Sequence, residues 1–399
     1  MNDTSNKKGL NIPLSVPNLK GNEWAYVKEC LDTEWVSSVG PYVDRFEADI
    51  CRRFGGRYAV ACVNGSAALH IALEIAGVTE KDEVIVPTVT FIASVNAVSY
   101  VGAEPVFMDC DSFFNIHPEK TAEFIRNETV FRGGVTINKS SGKRIAALLP
   151  VHVFGNAVDL EELVGLCEER NIPIIEDAAE SLGTFYRQGQ LSGKSAGTVG
   201  QIGCLSFNGN KIITTGGGGM IVTDDEKIAE KARYLTTQAK DDPVRYIHHQ
   251  IGYNYRLTNI QAALGVAQLE RLSDHLIAKK SNYDFYRKEI ADIPGLTLAG
   301  TPDYADNNHW MYALLIDKKT YGRDRENLMS YLTDNGIQSR PLWMLNHLQK
   351  PYAGCRAYRI EQALNLYDRT LNIPCSVNLT EEDREHVVKM LKKGRVAKS

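Results

Sequence analysis

Residues 201–222 read Gln201-Ile-Gly-Cys-Leu-Ser-Phe-Asn-Gly-Asn-Lys211-Ile-Ile-Thr-Thr-Gly-Gly-Gly-Gly-Met-Ile-Val222, two apolar runs joined by a polar turn and a run of glycines. Residues 204–207 predict a short buried strand, and residues 212–215 and 220–223 predict a second strand pair. Lys211 lies between them, beside glycines that clear space around it. Burial favours the uncharged form of such an amine and suits it to attack a carbonyl group. The alternative interpretation is a solvated lysine in a hairpin turn.

Upstream of this segment, apolar runs of strand length alternate with the apolar spacing of helices. The predicted strands are residues 59–63, 83–86, 105–108, 145–153 and 172–175, and the predicted helices are residues 64–77, 91–101, 118–126 and 160–170. This alternation predicts an α/β domain with a mostly parallel central sheet flanked by helices. Active sites in such sheets lie beyond the carboxyl ends of the strands. Residues 129–143 interrupt the alternation and predict an inserted hairpin.

The length of 399 residues predicts two or three domains. We predict an N-terminal arm at residues 1–24 and a large domain at residues 25–256. Connecting helices and a smaller C-terminal α/β domain then occupy residues 257–399. Helical spacing runs through residues 257–292, and Thr380 predicts the N-cap of a final helix.

Composition argues against several classes of function. The net charge of −4, without a basic cluster, gives no sign of nucleic-acid binding. No apolar run approaches the roughly 18 residues that a membrane span needs. The eight cysteines form no C-x-x-C pair and the nine histidines no H-E-x-x-H motif. We therefore expect free thiols in a reducing cytoplasm and no metal site.

The turn Asn64-Gly-Ser-Ala-Ala68 joins a predicted strand to a predicted helix. Gly65 permits close approach of the backbone, Ser66 can cap the helix, and the free N–H groups of the first turn can bind a phosphate. Neither G-x-x-x-x-G-K-[ST] nor G-x-G-x-x-G occurs in the chain, so neither a P-loop nor a standard dinucleotide site competes with this interpretation.

Further candidates follow other predicted strands. Glu176 and Asp177 end the apolar run of residues 172–175. A buried carboxylate needs a cation or a strong donor, and the pyridinium nitrogen of pyridoxal phosphate is such a partner. An ion pair or a helix cap is the alternative. Phe91 could stack on a flat ring or belong to the core, and the Ser206 hydroxyl could donate to a phosphate.

Taken in order along the chain, these segments resemble the DegT-type nucleotide-sugar aminotransferases, which are pyridoxal phosphate enzymes of fold type I. The resemblance rests on Asn64-Gly-Ser-Ala-Ala68, Pro87-Thr-Val-Thr-Phe91, Pro150-Val-His-Val-Phe-Gly-Asn156, Glu176-Asp-Ala-Ala-Glu-Ser181, Ser206-Phe-Asn-Gly-Asn-Lys211 and Gly252-Tyr-Asn-Tyr-Arg-Leu257. Residues 12–17, 35–38 and 371–379 further resemble the branch that serves legionaminic acid and related surface sugars.

The resemblance assigns a role to each matching residue. Lys211 would hold pyridoxal phosphate as an internal aldimine and shuttle the proton, and Asp177 would pair with the pyridine nitrogen. The cofactor would also contact Ser66, Ala67, Phe91, Glu180, Ser206, Asn208 and Asn254. In that set, Ser66, Ala67 and Ser206 would hold the phosphate, Phe91 would stack on the ring, and Asn254 would come from the second subunit of a homodimer. Glu180 and Asn208 stand where many members carry other residues.

The same resemblance implies the reaction. L-glutamate would donate its amino group, leaving pyridoxamine phosphate, to the 4-keto carbon of a nucleotide-linked 6-deoxy sugar, with UDP-2-acetamido-4-keto-2,6-dideoxyglucose as the preferred substrate. The alternatives are a 3-keto sugar, a GDP- or dTDP-linked sugar, or a pyridoxal phosphate-binding regulatory protein without turnover. The candidate contacts for the sugar are Trp35, Ser37, Ser38, His309, Arg340, Trp343 and His347.

Overall fold

The computed structural model describes residues 11–396. Its α-helices are α1 (Glu23–Asp32), α2 (Pro41–Phe54), α3 (Gly65–Ile75), α4 (Ile92–Tyr100), α5 (Pro118–Asn127), α6 (Glu161–Glu169), α7 (Glu226–Thr236), α8 (Asn259–Glu270), α9 (Leu272–Ala291), α10 (Lys318–Tyr321), α11 (Arg325–Asp334), α12 (Gln362–Arg369) and α13 (Glu381–Lys393). Its strands are β1 (Tyr58–Cys62), β2 (Asp82–Pro87), β3 (Glu104–Met108), β4 (Thr129–Arg132), β5 (Val135–Asn138), β6 (Arg144–Leu148), β7 (Ile175–Asp177), β8 (Phe185–Tyr186), β9 (Ile202–Ser206), β10 (Gly219–Thr223), β11 (Leu296–Leu298), β12 (Ala305–Asp306), β13 (Tyr312–Ile316), β14 (Arg340–Pro341), β15 (Ala357–Tyr358) and β16 (Thr370–Ile373).

The large central sheet has the strand order β3–β2–β6–β7–β9–β10–β1. Parallel bridges between Leu148 and Ile174 and between Val151 and Asp177 join its two halves. β10 runs antiparallel to both of its neighbours, whereas β2, β3, β6, β7 and β9 pair in parallel. The predicted α/β class with a mostly parallel sheet is confirmed.

Helices pack against this sheet, and α2 does so through one apolar stripe. α2 buries Val43, Phe46, Ile50 and Phe54, which recur every three or four residues and therefore share one face. Its Phe46 ring meets the ring of Phe207 edge to face, at 4.9 Å between centroids, just beyond the end of β9. The strands β2 and β10 are buried along their whole length, as expected for a sheet covered on both sides.

The parallel strands deliver their following loops to one edge of the sheet. β1 leads into the turn before α3, β2 into residues 88–91, β7 into residues 178–180, and β9 into residues 207–211. All the candidate residues that follow these strands are therefore brought to the same region.

The hairpin predicted at residues 129–143 is confirmed by the antiparallel pair β4 and β5. The strand predicted at residues 212–215 is wrong. Thr214 Oγ1 and the Thr215 N–H both donate to the Phe207 carbonyl, so this segment folds back on the end of β9 instead of extending. β10 begins only at Gly219, where a Cβ atom would lie 2.4 Å from the Asn64 backbone, so only glycine fits.

The helical run predicted at residues 257–292 is divided at Arg271, whose φ of −100° and ψ of 2° end α8 before α9 begins. The break lets α8 pack on α1 and α2 while α9 packs on the second sheet and on α13. The predicted cap at Thr380 is confirmed. The Thr380 side chain accepts a hydrogen bond from the Asp383 N–H, and the Asp383 carboxylate accepts one from the Thr380 N–H.

The second sheet is antiparallel, with the order β11–β13–β16–β14. It lies wholly within residues 257–399, but the strand β15 of the same region pairs in parallel with β3 of the large sheet. The boundaries 1–24, 25–256 and 257–399 stay a prediction, and residues 1–10 and 397–399 lie outside the described part. Within residues 11–396, no helix combines the length and the apolar character that crossing a bilayer requires.

Candidate active site

A cavity of 640 Å³ opens at the carboxyl edge of the large sheet and extends to the small sheet. Its wall includes residues from the loops after β1, β2, β7 and β9 and from the segment around β14. The predicted residues that line it are Ser66, Phe91, Asp177, Glu180, Ser206, Asn208, Lys211, Arg340 and Trp343.

Lys211 lies in the turn between β9 and β10, where its backbone N–H donates to the Asn208 carbonyl. Its side-chain nitrogen lies 3.6 Å from Oε1 of Glu180 and 4.1 Å from the centroid of the Trp310 ring. The side chain is 13% exposed, which rejects the alternative of a solvated lysine in a hairpin turn. The mostly buried amine of Lys211 thus faces the cavity.

Glu180 is buried beside that amine. Its Oε2 atom accepts a hydrogen bond of 2.8 Å from the Phe154 N–H. Burial raises the pKa of Glu180 to about 7, although Lys211 and the Phe154 N–H oppose the shift. This carboxyl group can therefore gain or lose a proton near neutral pH.

Asp177 ends β7 with its carboxylate directed into the cavity. Oδ2 accepts a hydrogen bond of 2.6 Å from Ser94 Oγ, and Oδ1 accepts one of 3.0 Å from the Ala179 N–H. The Ser94 hydroxyl in turn lies 3.1 Å from Thr90 Oγ1. The carboxylate is fixed in place by these donors, and no cation pairs with it among residues 11–396.

Glu176 has a different part in the structure, because neighbouring strand residues point to opposite faces. Its Oε2 lies 2.8 Å from Nε2 of His152, which donates since its other ring nitrogen accepts from the Val158 N–H. Oε1 accepts from the Val199 and Gly200 N–H groups. These partners hold the pKa of Glu176 below its usual value despite complete burial. Glu176 is therefore satisfied by a neutral imidazole and by backbone N–H groups, which is a structural role, whereas Asp177 faces the cavity.

The turn before α3 forms one corner of the cavity, and a helix N-terminus at such a place is suited to bind an anion. Asn64 caps the helix by accepting the Ala67 N–H at 2.7 Å. A Cβ atom on Gly65 would lie 3.0 Å from Cβ of Ser206, so the glycine keeps the two serine-bearing loops together. Ser66 and Ser206 both line the cavity. Ala67 does not line it, and its N–H is already used by the cap.

Phe91 is 53% exposed and lies at the cavity wall, so it is not a core side chain. Its ring centroid is 6.3 Å from that of Trp343. The cavity therefore contains an amine, a carboxylate without a cation, hydroxyl groups at a helix N-terminus, and an exposed aromatic face. This set fits the aldehyde, ring nitrogen, phosphate and ring of pyridoxal phosphate.

The two histidines predicted to contact the substrate lie outside this cavity. The His309 ring stacks on Tyr283 at 4.4 Å, and burial lowers the pKa of His309 to about 4. The Nδ1 atom of His347 lies 2.6 Å from Thr88 Oγ1. Both rings are engaged in packing or in bracing the loop that carries Phe91.

The remaining predicted residues lie around a second cavity of 400 Å³ or on the surface. Ser37, Ser38 and Asn254 line this second cavity, together with Arg256. Trp35 is exposed, and its carbonyl accepts from the Asn259 side chain at 2.8 Å. In a single chain, none of these residues reaches the wall of the Lys211 cavity.

The sequence interpretation did not find Ser94 and Trp310. Ser94 is a buried serine one turn into α4, and its spacing of three from Phe91 is the one local signal for it. Trp310 precedes β13 and contacts Lys211 only through the tertiary fold. Long-range contacts of this kind leave no pattern in one sequence.

Known proteins are similar to this chain in sequence and in fold. Residues 17–392 match the profile of the DegT/DnrJ/EryC1/StrS aminotransferase family. The GDP-perosamine synthase of Caulobacter vibrioides is 38% identical to this chain, and the alignment covers 95% of this chain and 97% of that relative. The GDP-perosamine synthase of Escherichia coli O157:H7 is 37% identical, and the alignment covers 93% of this chain and 95% of that relative. The crystal structure of DesI with its TDP-sugar product is 27% identical, with a TM-score of 0.84 over 97% of this chain and 93% of DesI. The chain therefore belongs to the DegT/DnrJ/EryC1/StrS family and is a pyridoxal phosphate-dependent sugar aminotransferase of fold type I.

Proposed function

We propose that the enzyme transfers the amino group of L-glutamate to the 4-keto carbon of a nucleotide-linked 4-keto-6-deoxy sugar, for surface-polysaccharide or nonulosonic acid biosynthesis. The observation that carries this proposal is Lys211, 3.6 Å from Glu180 in a cavity that Asp177, Ser66 and Ser206 also line. The names of two relatives support a nucleotide sugar as the acceptor. We further propose that the enzyme acts in the cytoplasm as a homodimer.

The positions of the chain's residues support the following proposed roles. Bound pyridoxal phosphate supplies the electron sink that stabilises negative charge on the substrate carbon. Lys211 is the amine that holds the cofactor and then moves the proton of the substrate. Asp177, fixed by Ser94 and the Ala179 N–H, would pair with the ring nitrogen. Ser66 and Ser206 would hold the phosphate, and Phe91 would stack on the ring.

Glu180 supplies a proton-binding group next to Lys211. With a pKa of about 7, it is neutral in part of the population at physiological pH and can donate a hydrogen bond to the ring hydroxyl. Asn208 accepts the Lys211 N–H through its carbonyl and so fixes the turn that presents the amine.

The nucleotide of the substrate is UDP, GDP or dTDP, and specific observations favour the first two. The motif resemblance favours UDP-2-acetamido-4-keto-2,6-dideoxyglucose, whereas the relatives named GDP-perosamine synthase favour a GDP-linked sugar. Arg340 and Trp343 at the cavity wall are the described candidates for contact with the nucleotide sugar. An arginine can bind a diphosphate and a tryptophan can stack on a base or a sugar ring, so both suit either substrate.

The first test is the visible absorption of the purified enzyme before and after addition of L-glutamate. We expect an absorption band of the bound cofactor that changes with glutamate and is absent in Lys211→Ala. A wild-type enzyme that stays unchanged with glutamate would instead indicate a cofactor-binding protein without turnover. Product formation from UDP-, GDP- and dTDP-linked 4-keto sugars, and from a 3-keto sugar, then identifies the acceptor.

A further inference from the structure

Lys279 of α9 is a buried lysine with an unusual set of partners. Its side chain is 3% exposed, and Nζ donates to the carbonyls of Trp310 at 2.7 Å and Cys375 at 2.5 Å. Among residues 11–396, no carboxylate lies within ion-pair distance of it. Burial lowers the pKa of Lys279. The Tyr312 ring also lies 5.5 Å from this nitrogen, so neutral groups hold the buried amine and offset part of the cost of its burial.

One of the two carbonyls belongs to Trp310, which lines the Lys211 cavity, and the other belongs to Cys375, which contacts a lining residue. The Trp310 ring lies 4.1 Å from Nζ of Lys211, and its Nε1–H donates to the Asn210 carbonyl at 2.7 Å. The Cys375 N–H donates to the carbonyl of Leu14, which also lines the cavity. Lys279 therefore connects the backbone of Trp310 to the segment after β16, and that segment contacts the N-terminal arm.

The same helix also contacts the turn that carries Lys211. His275 lies one turn before Lys279, and its Nδ1 is 3.2 Å from the Ile212 carbonyl. Side chains four residues apart lie on one face of a helix. α9 thus touches the residue that follows Lys211 and the backbone of the tryptophan that covers Lys211.

We propose that Lys279 is a positioning residue for amine transfer, which holds the Trp310 backbone on α9 so that the indole stays against the side chain of Lys211. The proposal rests on the proposed role of Lys211. In this arrangement the indole face attracts the amine and limits the directions in which it can point. A displacement of the indole would then misplace the amine relative to the cofactor, and displacements of this kind are costly for catalysis.

The test compares Lys279→Met with Lys280→Met. Methionine has nearly the same length without the charge or donor, and Lys280 is an exposed neighbour on α9 paired with Asp284. We expect Lys279→Met to lower kcat by about 10- to 100-fold, with the KM for glutamate and the melting temperature nearly unchanged. Lys280→Met should match the wild type. In the cofactor-free protein, the tryptophan emission should shift only in Lys279→Met.

A double-mutant cycle with Trp310→Phe separates positioning from a general structural effect. In the Trp310→Phe background, adding Lys279→Met should cost less than about twofold in kcat and should produce no emission shift. An equal loss in both backgrounds, or a Lys279→Met enzyme with wild-type kcat and emission, would overturn the proposal. If the methionine variant fails to fold, Lys279→Leu, which also lacks a donor, tests the same point, and wild-type kcat there would also overturn the proposal. If the wild-type enzyme transfers no amino group, that result would contradict the proposed function, whereas the emission measurement would still test the position of Trp310.

Discussion

Nζ of Lys211 lies 3.6 Å from Oε1 of Glu180, and the other oxygen of that carboxylate accepts the Phe154 N–H at 2.8 Å. The pair is buried, yet the neighbouring ammonium does not keep the acid in its usual range. Burial outweighs Lys211 and raises the pKa of Glu180 to about 7. The candidate nucleophile thus has a neighbour whose charge changes near neutral pH.

This relationship predicts how stability depends on pH. Between its ordinary pKa of 4.5 and its folded value of about 7, Glu180 is protonated in the folded state and ionised in the unfolded state. The folded state binds more protons there, so the free energy of unfolding falls as pH rises through this window. Between pH 5 and pH 8, the cofactor-free wild type should lose about 2–3 kcal/mol relative to Glu180→Gln, whose amide does not titrate.

Urea unfolding of both proteins at pH 5 and pH 8 checks this prediction. Glu230→Gln, at an exposed position of α7, is the control and should follow the wild type at both pH values. If the free energy of unfolding changes equally between pH 5 and pH 8 in the wild type and in Glu180→Gln, then burial does not raise the pKa of Glu180.

Ser94 should matter for cofactor binding although it is not a predicted site residue. Ser94→Ala removes the 2.6 Å hydrogen bond to Asp177 and leaves the carboxylate with the Ala179 N–H. A hydrogen bond to a charged group contributes about 1.5–3 kcal/mol. We therefore expect the Kd for pyridoxal phosphate to rise by about tenfold or more, measured by titration of the cofactor-free protein. Ser99→Ala, on the exposed side of α4, should leave the Kd unchanged. An unchanged Kd in Ser94→Ala would contradict the assignment of Asp177.

Gly65 and Gly165 form a matched pair for testing the phosphate corner. A Cβ on Gly65 would lie 3.0 Å from Cβ and 3.4 Å from Oγ of Ser206, whereas a Cβ on Gly165 in α6 would meet nothing within 4 Å. Gly65→Ala should weaken pyridoxal phosphate binding by about tenfold or more, because the two serine-bearing loops must separate. Gly165→Ala should bind normally and gain about 0.5–1 kcal/mol of stability. Equal cofactor affinities in the two variants would argue against a phosphate at this corner.

Much of the fold could be predicted because local patterns determine it. The alternation of strands and helices fixes a parallel sheet, and a parallel sheet brings its following loops to one edge. This is why Asp177, Ser206 and Lys211 could be placed together from the sequence. The wrong strand at residues 212–215 has the composition of a strand, but Thr214 and Thr215 bond back to Phe207. The local pattern of apolar residues does not indicate that these two threonines donate to the Phe207 carbonyl instead of to a neighbouring strand.

The far wall of the cavity could be predicted only in part. Arg340 and Trp343 come from the small-sheet region and line the cavity. His309 also adjoins a strand of that sheet, but its ring stacks on Tyr283 instead. Trp310, the next residue, is the one that covers Lys211. Which of two neighbours faces the site depends on the backbone of residue 309, whose φ is +51°. Hydrophobic spacing carries no information about such a turn.

The location of Asn254 leads to a prediction about assembly. Asn254 is exposed and lines the second cavity with Ser37 and Ser38, not the cavity of Lys211. If it binds the phosphate in the partner subunit, each site takes Lys211 from one chain and Asn254 from the other. Mixing inactive Lys211→Ala with impaired Asn254→Ala chains would then create heterodimers with one intact site. We expect about one quarter of wild-type activity after subunit exchange at equal concentrations. No recovery, with heterodimers verified by mass spectrometry of differently tagged chains, would show that Asn254 does not act across subunits.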